Sequence, residues 1–176
     1  MPIQSTERLF FALWPDDDVR QAINQQSQPI IQNVNGKTTP LENWHITLAF
    51  LGDVDMPTKQ CMQQVAGTVQ RGHFSLSLDK LGYWPKPRIL WLGATQTPDN
   101  LRDLVTNLNT NLSGCGYHPE TRPFQIHLTL MRKASRIETL PSITPICWSV
   151  NDFCLVRSIF DSSGSRYEVV ARWALN

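Results

Sequence analysis

Two segments that lie far apart in the chain carry the same short pattern: a histidine, then threonine two residues later, then leucine. The first starts at His45 and the second at His127, 82 residues further along (127 − 45). Apolar and polar side chains alternate in both segments, which predicts β-strands. In a strand, residues i and i+2 project from one face about 6.6–6.8 Å apart. The pattern therefore predicts two matched strands, each presenting an imidazole and a hydroxyl on one face.

The rest of the chain mixes strand-like and helix-like segments. The apolar run RLFFALW (Arg8–Trp14) predicts a strand, and Pro15 followed by three aspartates predicts a helix start. Two more helices are predicted, one after Pro57 and one over 98–112, where leucines recur at helical spacing. Further strands are predicted at Phe74–Leu78, Ile89–Leu92, Gln125–Met131, Ser149–Phe160 and Tyr167–Trp173, the last two as a hairpin around DSSGS. Because strands are mixed with a few helices, the predicted fold class is α+β.

Length and charge exclude several classes of protein. The chain has 176 residues, 16 Lys and Arg against 15 Asp and Glu, and a formal net charge of +1. This balance excludes a protein that binds long duplexes through bulk charge alone. No stretch approaches the roughly 18 apolar residues of a membrane span, and the N-terminus has no basic lead of the kind that opens a signal peptide. We therefore expect one domain over residues 1–176, monomeric, cytoplasmic and not bound to a membrane.

The cysteines and the other two histidines predict no metal site. The cysteines form no C-x-x-C pair, and without an export signal we expect reduced, mostly buried thiols. The chain contains Cys61, Cys115, Cys147 and Cys154. His73 and His118 lack the repeated pattern and are expected at the surface. Cys115 and His118 have the spacing of a metal half-site, but no second pair matches them, so structural zinc is not expected.

Two imidazoles on neighbouring strands can form an acid–base pair. If the two strands lie side by side across a groove, His45 and His127 face a common centre. Such a pair suits phosphodiester chemistry, because one imidazole removes a proton from the attacking oxygen and the other protonates the leaving oxygen. A fixed cation lowers the pKa of a neighbouring histidine. Arg132 follows His127 in the same segment, so we expect His127 to be the neutral base and His45 the protonated acid.

The segments HITLAF at 45–50 and HLTLMR at 127–132 resemble the paired HxTxxF and HxTxxR motifs of the two-histidine (2H) phosphoesterases. Within that superfamily the chain resembles the bacterial RNA 2′,3′-cyclic phosphodiesterases, also called 2′–5′ RNA ligases, along nearly its whole length. The phrases RLFFALWPDD and NWHITLAFLGD contribute to the likeness. The resemblance implies a bilobal α+β fold, in which two pseudo-symmetric sheet lobes with outer helices surround a central groove. It implies neither a metal nor any other cofactor.

The resemblance also implies a reaction. Water opens a terminal 2′,3′-cyclic phosphate of RNA to a 2′-phosphomonoester, with His45 as general acid and His127 as general base. With a sugar hydroxyl in place of water, the same chemistry joins two RNA ends through a 2′–5′ link.

Four more residues are predicted to bind the substrate. The hydroxyls of Thr47 and Thr129 would contact phosphate oxygens, and the planar guanidinium of Arg132 would clamp the phosphate. The ring of Phe50 would stack on a nucleobase. Phe50 and Arg132 each follow their histidine by five residues, so simple alternation places them on the opposite face of the strand. They reach the groove only if each strand bulges or ends nearby.

The sequence leaves three functions open. The first is a cyclic phosphodiesterase acting on RNA ends, tRNA fragments among them. The second is a 2H enzyme with another substrate, such as a cyclic nucleotide, a 2′–5′ oligoadenylate or a cyclic ADP-ribose phosphate. The third is an RNA- or nucleotide-binding module without turnover, against which two intact acid–base groups argue. Lys86, Arg88 and Arg122 are left as candidates for contacts with RNA outside the site.

Overall fold

The computed structural model describes residues 5–176, and within them three α-helices and ten β-strands mix as the predicted α+β class requires. Residues 1–4, part of the segment expected to lack a signal peptide, lie outside the described residues. The elements are β1 (Glu7–Leu13), α1 (Asp17–Ile31), β2 (Lys37–Thr38), β3 (Ile46–Val54), α2 (Met56–Ala66), β4 (Phe74–Leu78), β5 (Lys80–Trp84), β6 (Ile89–Gly93), α3 (Asp99–Ser113), β7 (Leu128–Arg132), β8 (Ile146–Val150), β9 (Asp152–Asp161) and β10 (Gly164–Ala174).

The three predicted helices are confirmed, and their starts have a clear chemical cause. The Asp16 carboxylate accepts a hydrogen bond from the Val19 backbone N–H at 2.9 Å, which caps α1. Asp55 caps α2 in the same way through the Thr58 N–H, also at 2.9 Å. Helix α3 begins directly after Pro98. Its core-facing side chains are Leu101, Leu104, Val105, Leu108 and Leu112.

The main sheet is built of two halves that meet at the two motif strands. Its order is β10-β9-β1-β3-β7-β6-β5, with β2 also paired to β7, and every pair is antiparallel. Strands β3 and β7 are joined by one residue pair, Ile46 with Leu128. We call this contact the seam. The predicted bilobal arrangement is confirmed, with β10, β9, β1 and β3 on one side of the seam and β7, β6, β5 and β2 on the other.

One expectation for the strands is wrong, and one strand was not predicted. The single strand expected over Ser149–Phe160 is divided at Asn151 into β8 and β9, which belong to different sheets, because β8 pairs with β4 while β9 pairs with β1 and β10. Strand β5 had no recognisable pattern in the sequence. It is possible because Gly82 lies under the indole of Trp91 on β6, where an added Cβ would come within 2.0 Å of the ring.

The expectation of four reduced thiols is also wrong. Cys61 of α2 and Cys115, which follows α3, form a disulfide with a Cα–Cα distance of 5.9 Å. The packing of α2 against α3 brings the two cysteines within bridging distance, although 54 residues separate them in the sequence. Cys147 is a free, exposed thiol and Cys154 a free, buried one.

Across residues 5–176, the structure contains no helix that combines the length and the apolar character needed to span a membrane.

Candidate active site

The seam brings the two motifs into contact. Around the Ile46–Leu128 pair, antiparallel register places His45 across from Thr129 and His127 across from Thr47. Each imidazole therefore faces the hydroxyl of the other motif across the strand pair, in addition to the one on its own strand. Each histidine faces the threonine of the other motif because the two strands carry the same pattern and pair antiparallel.

Both imidazoles are oriented by the same local hydrogen bond. His45 Nδ1 donates to the backbone carbonyl of Asn43 at 2.7 Å, and His127 Nδ1 donates to that of Gln125 at 3.1 Å. Each acceptor lies two residues before its histidine. These bonds favour the Nδ1-protonated tautomer and leave Nε2 as the atom that can gain or lose a proton. The hydroxyl of Thr47 lies 3.0 Å from His45 Nε2 and can donate to it.

Both motif strands contain a β-bulge at the third residue after the histidine. In β3, Thr47 pairs with Ala12 and Ala49 with Phe11, so Leu48 is the extra residue. In β7, Thr129 and Met131 pair with consecutive residues of β6, so Leu130 is the extra one. The bulges thus occupy equivalent positions in the two motifs.

The bulges reverse the alternation and bring the residue five positions after each histidine back to the groove. Leu48 and Ala49 are both buried, and the next residue, Phe50, is 46% exposed. Leu130 and Met131 are likewise both buried, and Arg132 is exposed. The condition stated for Phe50 and Arg132 to reach the groove is therefore met in both strands.

Three aromatic rings surround His45. Trp14 stacks on the imidazole with a centroid distance of 5.6 Å and an interplanar angle of 14°. Phe10 lies at 4.7 Å, and Tyr167 of β10 approaches edge-on at 5.3 Å. These neighbours were not predicted from the sequence. Phe10 in β1 and Trp14, directly after β1, have the spacing of residues on one face, which was a signal for two of these rings. No residue near Tyr167 in the sequence indicated its position beside His45.

A different aromatic ring contacts His127. The ring of Trp84 meets it edge-on at 4.9 Å. Trp91 lies 5.1 Å from Trp84, and its indole occupies the space over Gly82. The absence of a side chain at Gly82 thus lets β5 bring Trp84 to the imidazole.

The pKa values of both imidazoles are lowered. Burial lowers the pKa of His45 to about 4, with smaller contributions from His127 and Arg132, while the bond to the Asn43 carbonyl acts in the opposite direction. Burial also lowers the pKa of His127, and Arg132 adds to the effect. The expectation that Arg132 would make His127 the less basic of the two is wrong. The charge of Arg132 reaches both rings, and the deeper burial of His45 dominates.

Two cavities open on either side of the seam, and together they contain all six predicted site residues. The smaller, of about 130 Å³, lies on the His45 side. Its lining includes His45, Thr129, Arg132, Asn43, Lys37, Ser163, Ser165 and Tyr167. The larger, of about 810 Å³, lies on the His127 side. Its lining includes His127, Thr47, Phe50, Trp84, Tyr117, Glu120, Arg122 and Phe124.

Asn43 connects His45 to a distant part of the chain. The Asn43 side chain is only 7% exposed, and its Nδ2 donates to the Ser165 carbonyl of β10 at 2.9 Å. The carbonyl that holds His45 is therefore fixed by the hairpin formed by β9 and β10. Gln125, the equivalent residue before His127, has an exposed side chain.

We predict that Asn43→Ala changes the tautomer of His45, whereas Gln125→Ala leaves that of His127 unchanged. Without its anchor on Ser165, the Asn43 carbonyl holds the imidazole less firmly, and the neutral ring divides between its two tautomers. Long-range ¹H–¹⁵N spectra recorded above pH 7 distinguish the tautomers directly. A wild-type tautomer at His45 in Asn43→Ala would show that the side chain of Asn43 does not hold the ring.

Comparison with known proteins gives one consistent result. A family model described as the 2′-5′ RNA ligase superfamily matches residues 15–159. An Escherichia coli (strain K12) protein named RNA 2′,3′-cyclic phosphodiesterase is 34% identical over 171 residues, which cover 96% of this chain and 97% of the relative. The crystal structure of E. coli LigT in apo form matches with a TM-score of 0.89 over 97% of this chain and 98% of the other, at 34% identity.

A second solved structure, E. coli LigT complexed with 3′-AMP, matches with a TM-score of 0.90 at 33% identity and covers 97% of this chain and 99% of its own. The crystal structure of a Thermus thermophilus protein matches with a TM-score of 0.83 at 26% identity, over 96% of this chain and 97% of the other. The resemblance drawn from the two motifs is confirmed: the chain belongs to the 2′-5′ RNA ligase superfamily.

Proposed function

We propose that this protein is an RNA 2′,3′-cyclic phosphodiesterase, a hydrolase that opens a terminal 2′,3′-cyclic phosphate to a 2′-phosphomonoester. The observation that carries the proposal is the matched pair of imidazoles at the seam. Both donate from Nδ1 to the carbonyl two residues earlier, which leaves two Nε2 atoms for proton exchange. The relatives named RNA 2′,3′-cyclic phosphodiesterase support the same substrate class.

In this mechanism each imidazole handles one proton. His127 Nε2 removes a proton from water as the water oxygen forms a bond to phosphorus. The bond between phosphorus and the ribose 3′ oxygen breaks, and His45 donates a proton to that oxygen. The product is a 2′-phosphomonoester beside a free 3′ hydroxyl. If a 5′ hydroxyl of another RNA end takes the place of water, the same steps form a 2′–5′ link.

We assign the general-acid role to His45 on the motif resemblance. In the free protein burial makes His45 the less basic imidazole, so it takes up its proton when the phosphate anion binds beside it. The bond from His45 Nδ1 to the Asn43 carbonyl, at 2.7 Å, acts against the effect of burial and supports the protonated ring.

The remaining site residues bind the phosphate and the base. Thr47 and Thr129 donate hydrogen bonds to phosphate oxygens, and Arg132 stabilises the negative charge that builds up on them. Phe50 stacks on the terminal base from the larger cavity. The guanidinium of Arg8 lies 4.9 Å from the centroid of the Phe50 ring and helps to hold it in place.

We further propose that the chain acts as one bilobal domain, a cytoplasmic monomer, on RNA ends, tRNA fragments among them. The exposed, partly aromatic lining of the larger cavity favours a nucleotide, and the whole-length match to the E. coli enzyme favours RNA as its source. A 2H enzyme specific for another cyclic or 2′–5′ nucleotide, or a binding module without turnover, are the alternatives that the following experiment separates.

We expect the protein to convert an RNA that ends in a 2′,3′-cyclic phosphate into one that ends in a 2′-phosphate, with EDTA present throughout. The end group is identified by mass spectrometry and by its resistance or sensitivity to enzymes specific for 3′-phosphates. Binding without turnover would identify a binding module. Turnover of a cyclic nucleotide or a 2′–5′ oligoadenylate with none of the RNA would identify a different substrate. Loss of activity in EDTA would refute the two-histidine mechanism.

The lowered pKa values predict separate pH profiles for kcat/KM and kcat. The reaction needs one protonated and one neutral imidazole, and in the free enzyme both pKa values lie below the ordinary value of 6.5. The bell-shaped profile of kcat/KM, which reports the free enzyme, should therefore have its optimum below pH 6.5. A bound phosphate anion raises both pKa values, so the optimum of kcat should lie at higher pH. Coincident optima above pH 7 would contradict this picture.

A substrate with a good leaving group should separate the roles of the two histidines. On the cyclic phosphate, His45→Ala and His127→Ala should each lower the rate by about 10²–10⁴-fold. On an aryl phosphodiester that releases nitrophenolate, no acid is needed, so His45→Ala should regain much of its rate and His127→Ala should not. The reverse result would exchange the two roles. If neither variant regains its rate on the aryl phosphodiester, the main role of His45 is to bind phosphate.

A further inference from the structure

Positive charge is distributed unevenly along the groove. Lys37 and Arg132 both line the smaller cavity, beside His45. In the larger cavity the cation is Arg122, which forms an ion pair with Glu120 at 3.3 Å. Uncompensated positive charge is therefore concentrated on the His45 side of the seam.

Lys37 and Arg132 are directly opposite each other in the antiparallel pair of β2 and β7. Like charges in this position destabilise a sheet unless an anion lies between them or close by. The ion pairs formed within residues 5–176 include neither of the two. The pair is thus a permanent electrostatic cost that a bound anion would remove.

The scissile phosphate does not account for both cations. It carries one negative charge, which the guanidinium of Arg132 balances in the proposed mechanism even before the imidazolium of His45 is counted. Lys37 Nζ points instead to the tip of the β9–β10 hairpin, 3.8 Å from where a Cβ on Gly164 would stand. Ser165 follows that glycine and lines the same cavity, whereas the N–H and hydroxyl of Ser163 both donate to the Asp161 carboxylate. Lys37 and the Ser165 hydroxyl can bind a second anion beyond the scissile one.

The direction of the substrate identifies this second anion. If His45 protonates the ribose 3′ oxygen, the ribose lies on the His45 side, and its 5′ carbon is a few bonds from the scissile phosphorus. The cavity of about 130 Å³ is well below the roughly 300–1,000 Å³ of pockets that enclose a drug-sized ligand. It accepts a phosphate group but not a further nucleoside.

We infer that Lys37, with Ser165 at the hairpin tip, forms a subsite for the phosphate on the 5′ side of the terminal nucleotide. This inference rests on the proposed function and adds a preference to it. In RNA, the 5′ oxygen of the 3′-terminal nucleotide carries the phosphate that joins it to the preceding nucleotide. Nucleoside 2′,3′-cyclic monophosphates lack this phosphate, so the enzyme selects RNA over them. The subsite recognises the charge of the phosphate, and the larger cavity recognises the base.

The test compares two substrates that differ by one phosphate: a nucleoside 2′,3′-cyclic phosphate and the same compound with a 5′ phosphate. For the wild-type protein, we expect kcat/KM to be about tenfold higher for the 5′-phosphorylated compound. In Lys37→Ala this ratio should fall towards one, and in Lys37→Arg it should be retained. Arg102→Ala is the control, because it removes one positive charge from the exposed face of α3, away from both cavities, and should keep the wild-type ratio.

The outcomes separate this inference from the proposed function. If the wild-type protein turns over neither compound nor a cyclic-phosphate-ended RNA, the proposed function fails. If it turns over both compounds with a ratio of one, or if Lys37→Ala keeps the high ratio, the subsite is refuted and the function stands. If a dinucleotide is preferred while the 5′-phosphorylated compound is not, a second nucleoside is recognised and the subsite is again refuted.

Discussion

The single backbone pairing of Ile46 with Leu128 is the contact on which the geometry of the site depends. The two halves of the sheet are each extensively paired internally, whereas they share only this short ladder. Its antiparallel register determines which hydroxyl faces which imidazole. A parallel pairing, or a shift of one residue, would turn one histidine away from the other, because side chains alternate strictly across a strand. The seam therefore converts two similar strands into one site.

The repeated bulge explains why the motifs extend beyond histidine and threonine. A strand without the bulge would place the residue five positions after the histidine on the far face, in the core. The extra residues, Leu48 and Leu130, add their side chains to the core and turn Phe50 and Arg132 outward. The two halves of the site thus use the same backbone irregularity to present different chemistry, an aromatic ring from one and a cation from the other. Bulges of this kind are commonly found next to active sites, where they redirect a side chain.

Sequence reasoning succeeded where the controlling physics was local. Alternation identified the motif strands and the shared faces of His45 and Thr47, and capping chemistry marked the helix starts. It failed where groups from separate elements meet. Tyr167 reaches His45 from β10, and the pKa of His45 depends on burial by that ring and others, so neither could be read from nearby residues. The Cys61–Cys115 disulfide likewise depends on the packing of two helices, which the spacing of the cysteines does not encode.

The hydrogen bond between Asn43 and Ser165 also has a consequence for folding. It closes a loop of 122 residues in sequence separation, so the orientation of His45 is among the most non-local features of the fold. Contacts of such high order form late, after the segments between them are in place. During synthesis, β3 leaves the ribosome long before β10. The motif that carries His45 is therefore present on the nascent chain well before its imidazole is oriented for catalysis. Catalysis begins only when the hairpin of β9 and β10 has docked.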